Sequence, residues 1–206
     1  MSIPMALVDY IPVMLFTVSA VLLERSFYGR MSTGCFAVFS AGSIMITTAG
    51  LFKATWKLLY AAGLCDFERL NQCFFPMQSV GFLLAGIAMV GYLFFPQRKN
   101  HLNALGAAPA TAPQVFGGTF VFVGVMVAGA LGLCGGLAVE AGRRKKTGAV
   151  VLFIAAFVCM LAMGYLSSKN FEQAYMNWVA EGVNCIGQLA FFLGARTISA
   201  SGSAEA

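Results

Sequence analysis

Six apolar stretches, separated by short polar segments, dominate this sequence. They cover residues 5–23, 31–52, 76–95, 115–139, 147–167 and 180–198. A helix that crosses a bilayer needs about 20 mostly apolar residues, so each stretch is long enough to span. Only 10% of the residues are charged, against about 25% in soluble domains. The sequence therefore predicts an all-α integral membrane protein with six transmembrane helices in contact with the lipid bilayer.

The charged residues and the cysteines exclude several functions. The net charge is +5, but the basic residues stand in short clusters between apolar stretches, so a nucleic-acid-binding face is not expected. His101 is the single histidine, and the six cysteines contain no Cys-x-x-Cys motif. We therefore predict no metal site and no cofactor. Catalytic motifs such as Gly-x-Ser-x-Gly are absent, which argues against an enzyme, although carboxylate or cysteine chemistry needs no such motif.

A proline-rich segment divides the chain into two halves. Residues 96–114 contain three prolines and many small or polar residues, which is typical of a flexible linker. We predict a first three-helix unit over 1–95, a linker over 96–114 and a second unit over 115–198. Residues 199–206, SASGSAEA, are predicted to form a disordered tail.

The two halves share a sequence pattern that indicates an internal repeat. Thr33-Gly34 and Thr147-Gly148 each begin an apolar stretch, and the same offset of 114 residues pairs Gly50 with Gly164. After a gap, Gln78 pairs with Gln188. Three is an odd number of helices, so a second unit that follows a linker on one side of the membrane would be inverted. The sequence therefore predicts a 3+3 inverted repeat, an arrangement that recurs in transporters.

The basic segment at residues 140–146, EAGRRKK, indicates the orientation. Lysine and arginine are enriched in cytoplasmic loops. With six spans, a cytoplasmic basic segment would place both termini in the cytoplasm. The same orientation would expose Cys65 and Cys73 to the reducing cytoplasm as free thiols.

Polar side chains inside the apolar stretches give the candidate ligand-binding site. Glu181, Asn184 and Gln188 share one face of the sixth stretch, because their spacings are three and four residues. Polar residues at membrane depth are costly and usually face a cavity or a partner. The remaining candidates lie on the second and third stretches, with the two lysines as counter-charges for Glu181 or for an anionic ligand: Ser43, Thr47, Lys53, Lys57 and Gln78.

A second interpretation of the same residues requires no ligand. Glu181 would lie in the headgroup region and begin its helix as an N-terminal acid. Asn184 and Gln188 would form hydrogen bonds between helices, and the hydroxyl groups of Ser43 and Thr47 would bond to their own backbone. The sequence leaves both interpretations open.

Small residues recur every four positions in the fourth stretch, at Gly124, Ala128, Gly132 and Gly136. This spacing predicts a face that another helix approaches closely. The partner would be a neighbouring helix of the same chain or, alternatively, a second copy in a homo-oligomer or a partner subunit.

Three functions are compatible with these features. The first is a small-solute transporter, or a membrane subunit that binds the solute, with a polar pocket between the second, third and sixth stretches. The second is a non-catalytic sensor or accessory subunit that associates through the fourth stretch. An intramembrane enzyme is the least supported. A polar cavity that reaches one membrane face would favour the first function, and a filled bundle would favour the second.

Overall fold

The computed structural model describes residues 3–94, 119–167 and 174–202, and this part of the chain is helical with short turns. Six helices are long: α2 (Tyr10–Phe27), α3 (Thr33–Ala61), α5 (Phe74–Phe94), α6 (Thr119–Arg143), α7 (Thr147–Ser167) and α8 (Ala174–Gly202). Two are short: α1 (Ile3–Val8) and α4 (Glu68–Gln72). Pro76 lies in the first turn of α5, where its missing N–H costs nothing.

Within the described residues, five segments are long and apolar enough to cross a membrane: Ile3–Phe27, Thr33–Ala61, Glu68–Phe94, Val121–Arg143 and Thr147–Leu166. Helix α8 has 29 residues but is less apolar, because one of its sides carries Glu181, Asn184 and Gln188. Its other side exposes large apolar residues such as Ile186 and Leu189. Similar exposed residues cover the outside of the other long helices, as expected of surfaces that face lipid rather than water.

The first span is broken at Asp9, between α1 and α2. Pro12 explains the break, because a proline ring clashes with the carbonyl group four residues earlier, here that of Val8. The break lies at one end of the bundle and leaves the Asp9 side chain buried, with 6% of its surface exposed.

The long helices pack in a closed ring, in the order α2, α3, α5, α6, α7, α8 and back to α2. Glycines allow the closest approaches. A Cβ atom on Gly42 of α3 would lie 2.6 Å from the Gly81 carbonyl oxygen of α5, so only glycine fits there. We call the end where α3 ends and α5 begins the mouth end, and the end with the turns at 28–32 and 144–146 the basic end.

The two halves run in the same direction, so the predicted inverted repeat is wrong for the described helices. Near the mouth end, Ser79 Oγ of α5 donates to the Phe122 carbonyl of α6 at 2.9 Å. Near the basic end, Tyr92 of the same helix donates to Glu140 of α6 at 3.2 Å. Helices α5 and α6 are therefore parallel. Helices α2 and α8 are parallel as well, because Phe16 stacks on Phe191 while the residues near Asp9 and Ser26 approach the start and end of α8.

The parallel order of α5 and α6 also corrects the prediction that both termini share one side. Ile3 lies at the mouth end, and the last turn of α8 lies at the basic end. Residues 95–118, which include the predicted linker at 96–114, lie outside the described residues. The unit boundaries stay predictions, whereas the predicted disordered tail is wrong for 199–202. Those residues continue α8, whose end is held by a bond from Arg144 to the Ile198 carbonyl.

Basic residues are concentrated at the basic end: Arg25, Arg30, Arg143, Arg144, Lys145, Lys146 and Arg196. Because such residues favour the cytoplasm, we expect the mouth end to face the opposite side.

Cys65 and Cys73 are exposed free thiols at the mouth end. A membrane-impermeant maleimide should therefore label both cysteines in intact cells, contrary to the expectation from six alternating spans. A variant with serine at both positions gives the background, and labelling only after permeabilisation would place the mouth in the cytoplasm.

Candidate functional site

A cavity of about 200 Å³ occupies the mouth-end half of the helix ring. Residues from all six long helices line it. Towards the basic end, the aromatic rings of Phe16, Phe82 and Phe191 fill the centre, with Phe16 lying 6.4 Å from Phe82 and 5.7 Å from Phe191 between ring centroids. The cavity is therefore closed at the middle of the bundle and extends towards the mouth end.

Most of the polar residues predicted from the sequence line this cavity: Thr47, Lys53, Lys57, Gln78, Glu181, Asn184 and Gln188. Ser43 does not; it is buried one helical turn from Thr47, in the packing between α3 and its neighbours. The cavity also involves more helices than predicted, because α2, α6 and α7 contribute apolar walls. The side chain of Glu181 does not face water, because the residue is only 7% exposed.

Lys57 joins two carboxylates from different helices at the mouth end of the cavity. Its Nζ atom donates to Glu181 Oε1 at 3.1 Å and forms an ion pair with Asp9. Its side chain is 12% exposed, so these charges are largely removed from water. Removing a charge from water costs several kcal/mol per ion, and pairing offsets this cost only when the geometry and the remaining hydrogen bonds are good. The cluster thus connects α2, α3 and α8 and is expensive to maintain, which is typical of functional residues in membranes.

Several buried acceptors near this cluster have no hydrogen-bond donor among the described residues. They are Asp9 Oδ1, Glu181 Oε2 and Gln188 Oε1. A buried acceptor left without a donor costs about 1–3 kcal/mol. All three side chains line the cavity, so a molecule in the cavity is able to supply the missing donors.

Lys53 lines the same cavity one helical turn deeper than Lys57. Its Nζ atom lies 4.1 Å from the centroid of the Phe74 ring. Among the described residues, no carboxylate lies within ion-pair distance of this amine, whereas Lys57 has two. A cation over an aromatic face gains only part of what an ion pair supplies. Lys53 therefore presents a positive charge that is available to an anionic group.

The positions that line the cavity repeat along the chain. The lining residues of α2 and α6 are related by the offset of 114 residues: Asp9, Pro12, Val13 and Phe16 correspond to Val123, Met126, Val127 and Ala130. The same offset relates Ile46, Thr47 and Gly50 of α3 to Met160, Leu161 and Gly164 of α7. These matches, together with the ring order, fit two parallel units around an axis along the bundle.

The third helix of each unit follows a different offset from the one predicted. Phe75, Gln78 and Phe82 of α5 correspond to Glu181, Asn184 and Gln188 of α8, which are each 106 residues later. Gln78 thus corresponds to Asn184 rather than to Gln188. The ionic groups have no counterparts in this symmetry, since Asp9 and Glu181 correspond to Val123 and Phe75. The charged cluster is specific to one side of the ring.

The small-residue face predicted on α6 is divided between two surroundings. A Cβ atom on Gly132 would lie 3.1 Å from Gly86 of α5, and one on Gly136 would meet Met89. Gly124 meets nothing within 4 Å, and both it and Ala128 are exposed. A spacing of four exceeds the 3.6-residue turn, so such a stripe drifts around the helix. The residue that the sequence analysis missed is Gly129, which approaches Phe82 and Leu83 most closely and precedes Gly132 by three residues.

A second polar cluster at the basic end was not predicted. Arg144 donates to Glu140 at 2.7 Å, to Ser26 at 3.3 Å and to the Ile198 carbonyl at 3.2 Å. Its guanidinium also lies 5.8 Å from the Phe27 ring centroid. The basic sequence at 143–146 indicated topology only, because nothing in the sequence separates Arg144 from its exposed neighbours. This cluster fastens α2, α6 and α8 together below the closed end of the cavity.

Comparisons with protein-family models, with curated proteins and with solved structures find no match. Within the described residues, no group of three histidine, cysteine, aspartate or glutamate side chains is placed to hold a metal ion.

Proposed function

We propose that this protein binds a small solute in the six-helix cavity and carries it across the membrane, alone or as the substrate-binding subunit of a transporter. The observation that supports this most directly is the set of buried polar atoms without partners around an otherwise apolar cavity. A closed, filled bundle would favour an accessory subunit, whereas a polar-lined cavity at one face favours solute binding.

Two further features support transport. Two parallel units around a central site form a recurring transporter architecture, in which the units rock against each other. The clusters at Lys57 and at Arg144 lie on opposite sides of the closed aromatic centre, and each connects helices from both halves of the chain. Breaking one cluster while the other forms would open the cavity to alternate sides. We also propose that α8 is the sixth membrane span, since it supplies Glu181 to the site.

The alternative of an accessory subunit has less support. Of the four small residues in the predicted face of α6, Gly124 and Ala128 face outwards, while Gly132 and Gly136 pack against α5 within the chain. Two exposed small residues make a short surface for a partner helix.

The test of the proposed function is Glu181→Gln, which keeps the shape of the side chain and removes its charge. We expect the variant to lose the small molecules that the wild type retains through purification, as measured by native mass spectrometry. The melting temperature should change little, because Asp9 still pairs with Lys57. Glu68→Gln, an exposed acid at the same end of the bundle, is the matched control. Unchanged retention in Glu181→Gln would contradict a solute site at this position.

A further inference from the structure

We propose that the solute is a zwitterion of amino-acid type, with an ammonium group, a carboxylate and a compact apolar side chain. This inference rests on the proposed function and specifies its substrate class. Four properties of the cavity define the class: its charge pattern, its unpartnered acceptors, its apolar walls and its volume.

The ionic groups of the cavity form two neighbouring sites, one acidic and one basic. Among the described residues, Asp9 and Glu181 share a single cation within ion-pair distance, Lys57, so two carboxyl groups face one lysine. Lys53, one turn deeper on the same helix, carries a charge of +1 and has the Phe74 ring as its neighbour. A ligand with a positive and a negative group attached to the same carbon atom matches both sites at once. A simple cation would leave Lys53 without an anion, and a simple anion would leave the acid pair undercompensated.

The unpartnered acceptors give the same answer. Asp9 Oδ1 and Glu181 Oε2 lack donors among the described residues, and an ammonium group supplies three N–H donors. Both residues are more than nine-tenths buried and line the cavity. Charge-assisted hydrogen bonds of this kind are roughly twice as strong as neutral ones. The ligand ammonium would therefore bind between the two carboxylates, and its carboxylate would accept from Lys53.

Apart from Thr47, Gln78, Asn184 and Gln188, the rest of the lining is apolar and adaptable. Away from the charges, the cavity is lined by Val13, Ile46, Phe82, Met126, Val127 and Met160. Methionine side chains bend to fit different apolar shapes. These walls therefore suit the aliphatic side chain of a ligand rather than a hydroxylated molecule such as a sugar. The volume of about 200 Å³ also limits size, because a cavity of roughly 150 Å³ accommodates one benzene molecule.

The test compares four probes that share parts of one molecule, with binding measured by calorimetry on the purified protein in nanodiscs. Leucine has all three features, 4-methylpentanoate lacks the amine, 3-methylbutylamine lacks the carboxylate, and glycine lacks the apolar side chain. We expect leucine to bind about tenfold or more tightly than each of the others. Equal binding of the amine-only or carboxylate-only probe would overturn the proposal.

Lys53→Met assigns the carboxylate site. The variant should bind leucine no better than wild type binds 3-methylbutylamine, while its affinity for 3-methylbutylamine stays unchanged and shows that the cavity has folded. Lys146→Met, an exposed lysine at the basic end, should leave leucine binding as it is. Leucine binding that survives Lys53→Met would overturn the assignment.

The outcomes separate this inference from the proposed function. If none of the four probes binds but the wild type retains another compound that Glu181→Gln releases, the substrate class is wrong and the proposed function stands. If no compound is retained and no probe binds, both proposals fail.

Discussion

Lys57→Met is expected to lower the free energy of unfolding by about 3–5 kcal/mol. The substitution leaves Asp9 and Glu181 buried beside each other without a cation, and an uncompensated buried charge is one of the most destabilising changes known. Unfolding of the purified protein by SDS or heat, followed by circular dichroism, measures the loss. Lys146→Met removes an exposed lysine and should have almost no effect.

A rescue experiment distinguishes charge from packing. Adding Asp9→Asn and Glu181→Gln to Lys57→Met removes all three charges, and the triple variant should recover much of the lost stability because replacing a buried ionic group as a whole is often neutral. A triple variant as unstable as the single variant would mean that the aliphatic stem of Lys57, not its charge, holds these helices together. Solute retention should be lost in both the single variant Lys57→Met and the triple variant.

Gly129→Leu is expected to destabilise the protein by about 3 kcal/mol or more, at or beyond the upper end of ordinary overpacking. A Cβ atom at this position would lie 2.6 Å from the Phe82 carbonyl oxygen and closer still to the Leu83 backbone nitrogen. Backbone atoms within a helix cannot rotate away as a side chain does. Helices α5 and α6 would have to separate, and this contact joins the two halves of the ring.

Gly124→Leu on the same helix is the matched control. Nothing lies within 4 Å of a Cβ atom there, and the position is exposed to the lipid side of the bundle, so the substitution should be neutral or slightly stabilising. Thermal unfolding of both variants under the same conditions gives the comparison. Equal melting temperatures for the two variants would contradict the packing of α5 against α6.

Part of the candidate site could be predicted from the sequence, because a polar residue at membrane depth is costly and usually faces a cavity or a partner. Glu181, Asn184 and Gln188 were recognised because charged or amide groups are rare in apolar helices and their spacing places them on one face. The sequence predicts Lys53 or Lys57 as a counter-charge for Glu181 or for an anionic ligand, and the structure places Lys57 3.1 Å from Glu181. Asp9 lies in the same cluster. The helix break after Val8, which Pro12 causes, is the local feature that distinguishes Asp9 from the first residue of an ordinary helix.

Other parts of the site were not predictable in this way. The apolar walls from α2, α6 and α7 carry no sequence signal, because an apolar residue facing a cavity looks the same as one facing lipid. The tight glycine contacts were only half identified. A four-residue spacing selects Gly124 and Ala128 along with Gly132, whereas the helix that packs against α6 selects Gly129 instead.

The sequence by itself determined the membrane environment, the helical class, the extents of most long helices and the offset of 114 residues between the two halves. These follow from local composition, since a backbone in lipid has to satisfy its hydrogen bonds within its own helix. The tertiary structure alone decided that the halves run in parallel, that all six long helices surround one cavity, and that Lys53 stands apart from the ion pairs of Lys57. Helix direction and side-chain partners depend on contacts between residues more than 100 positions apart, and a pattern along the chain carries no record of which of its equally apolar surfaces meet.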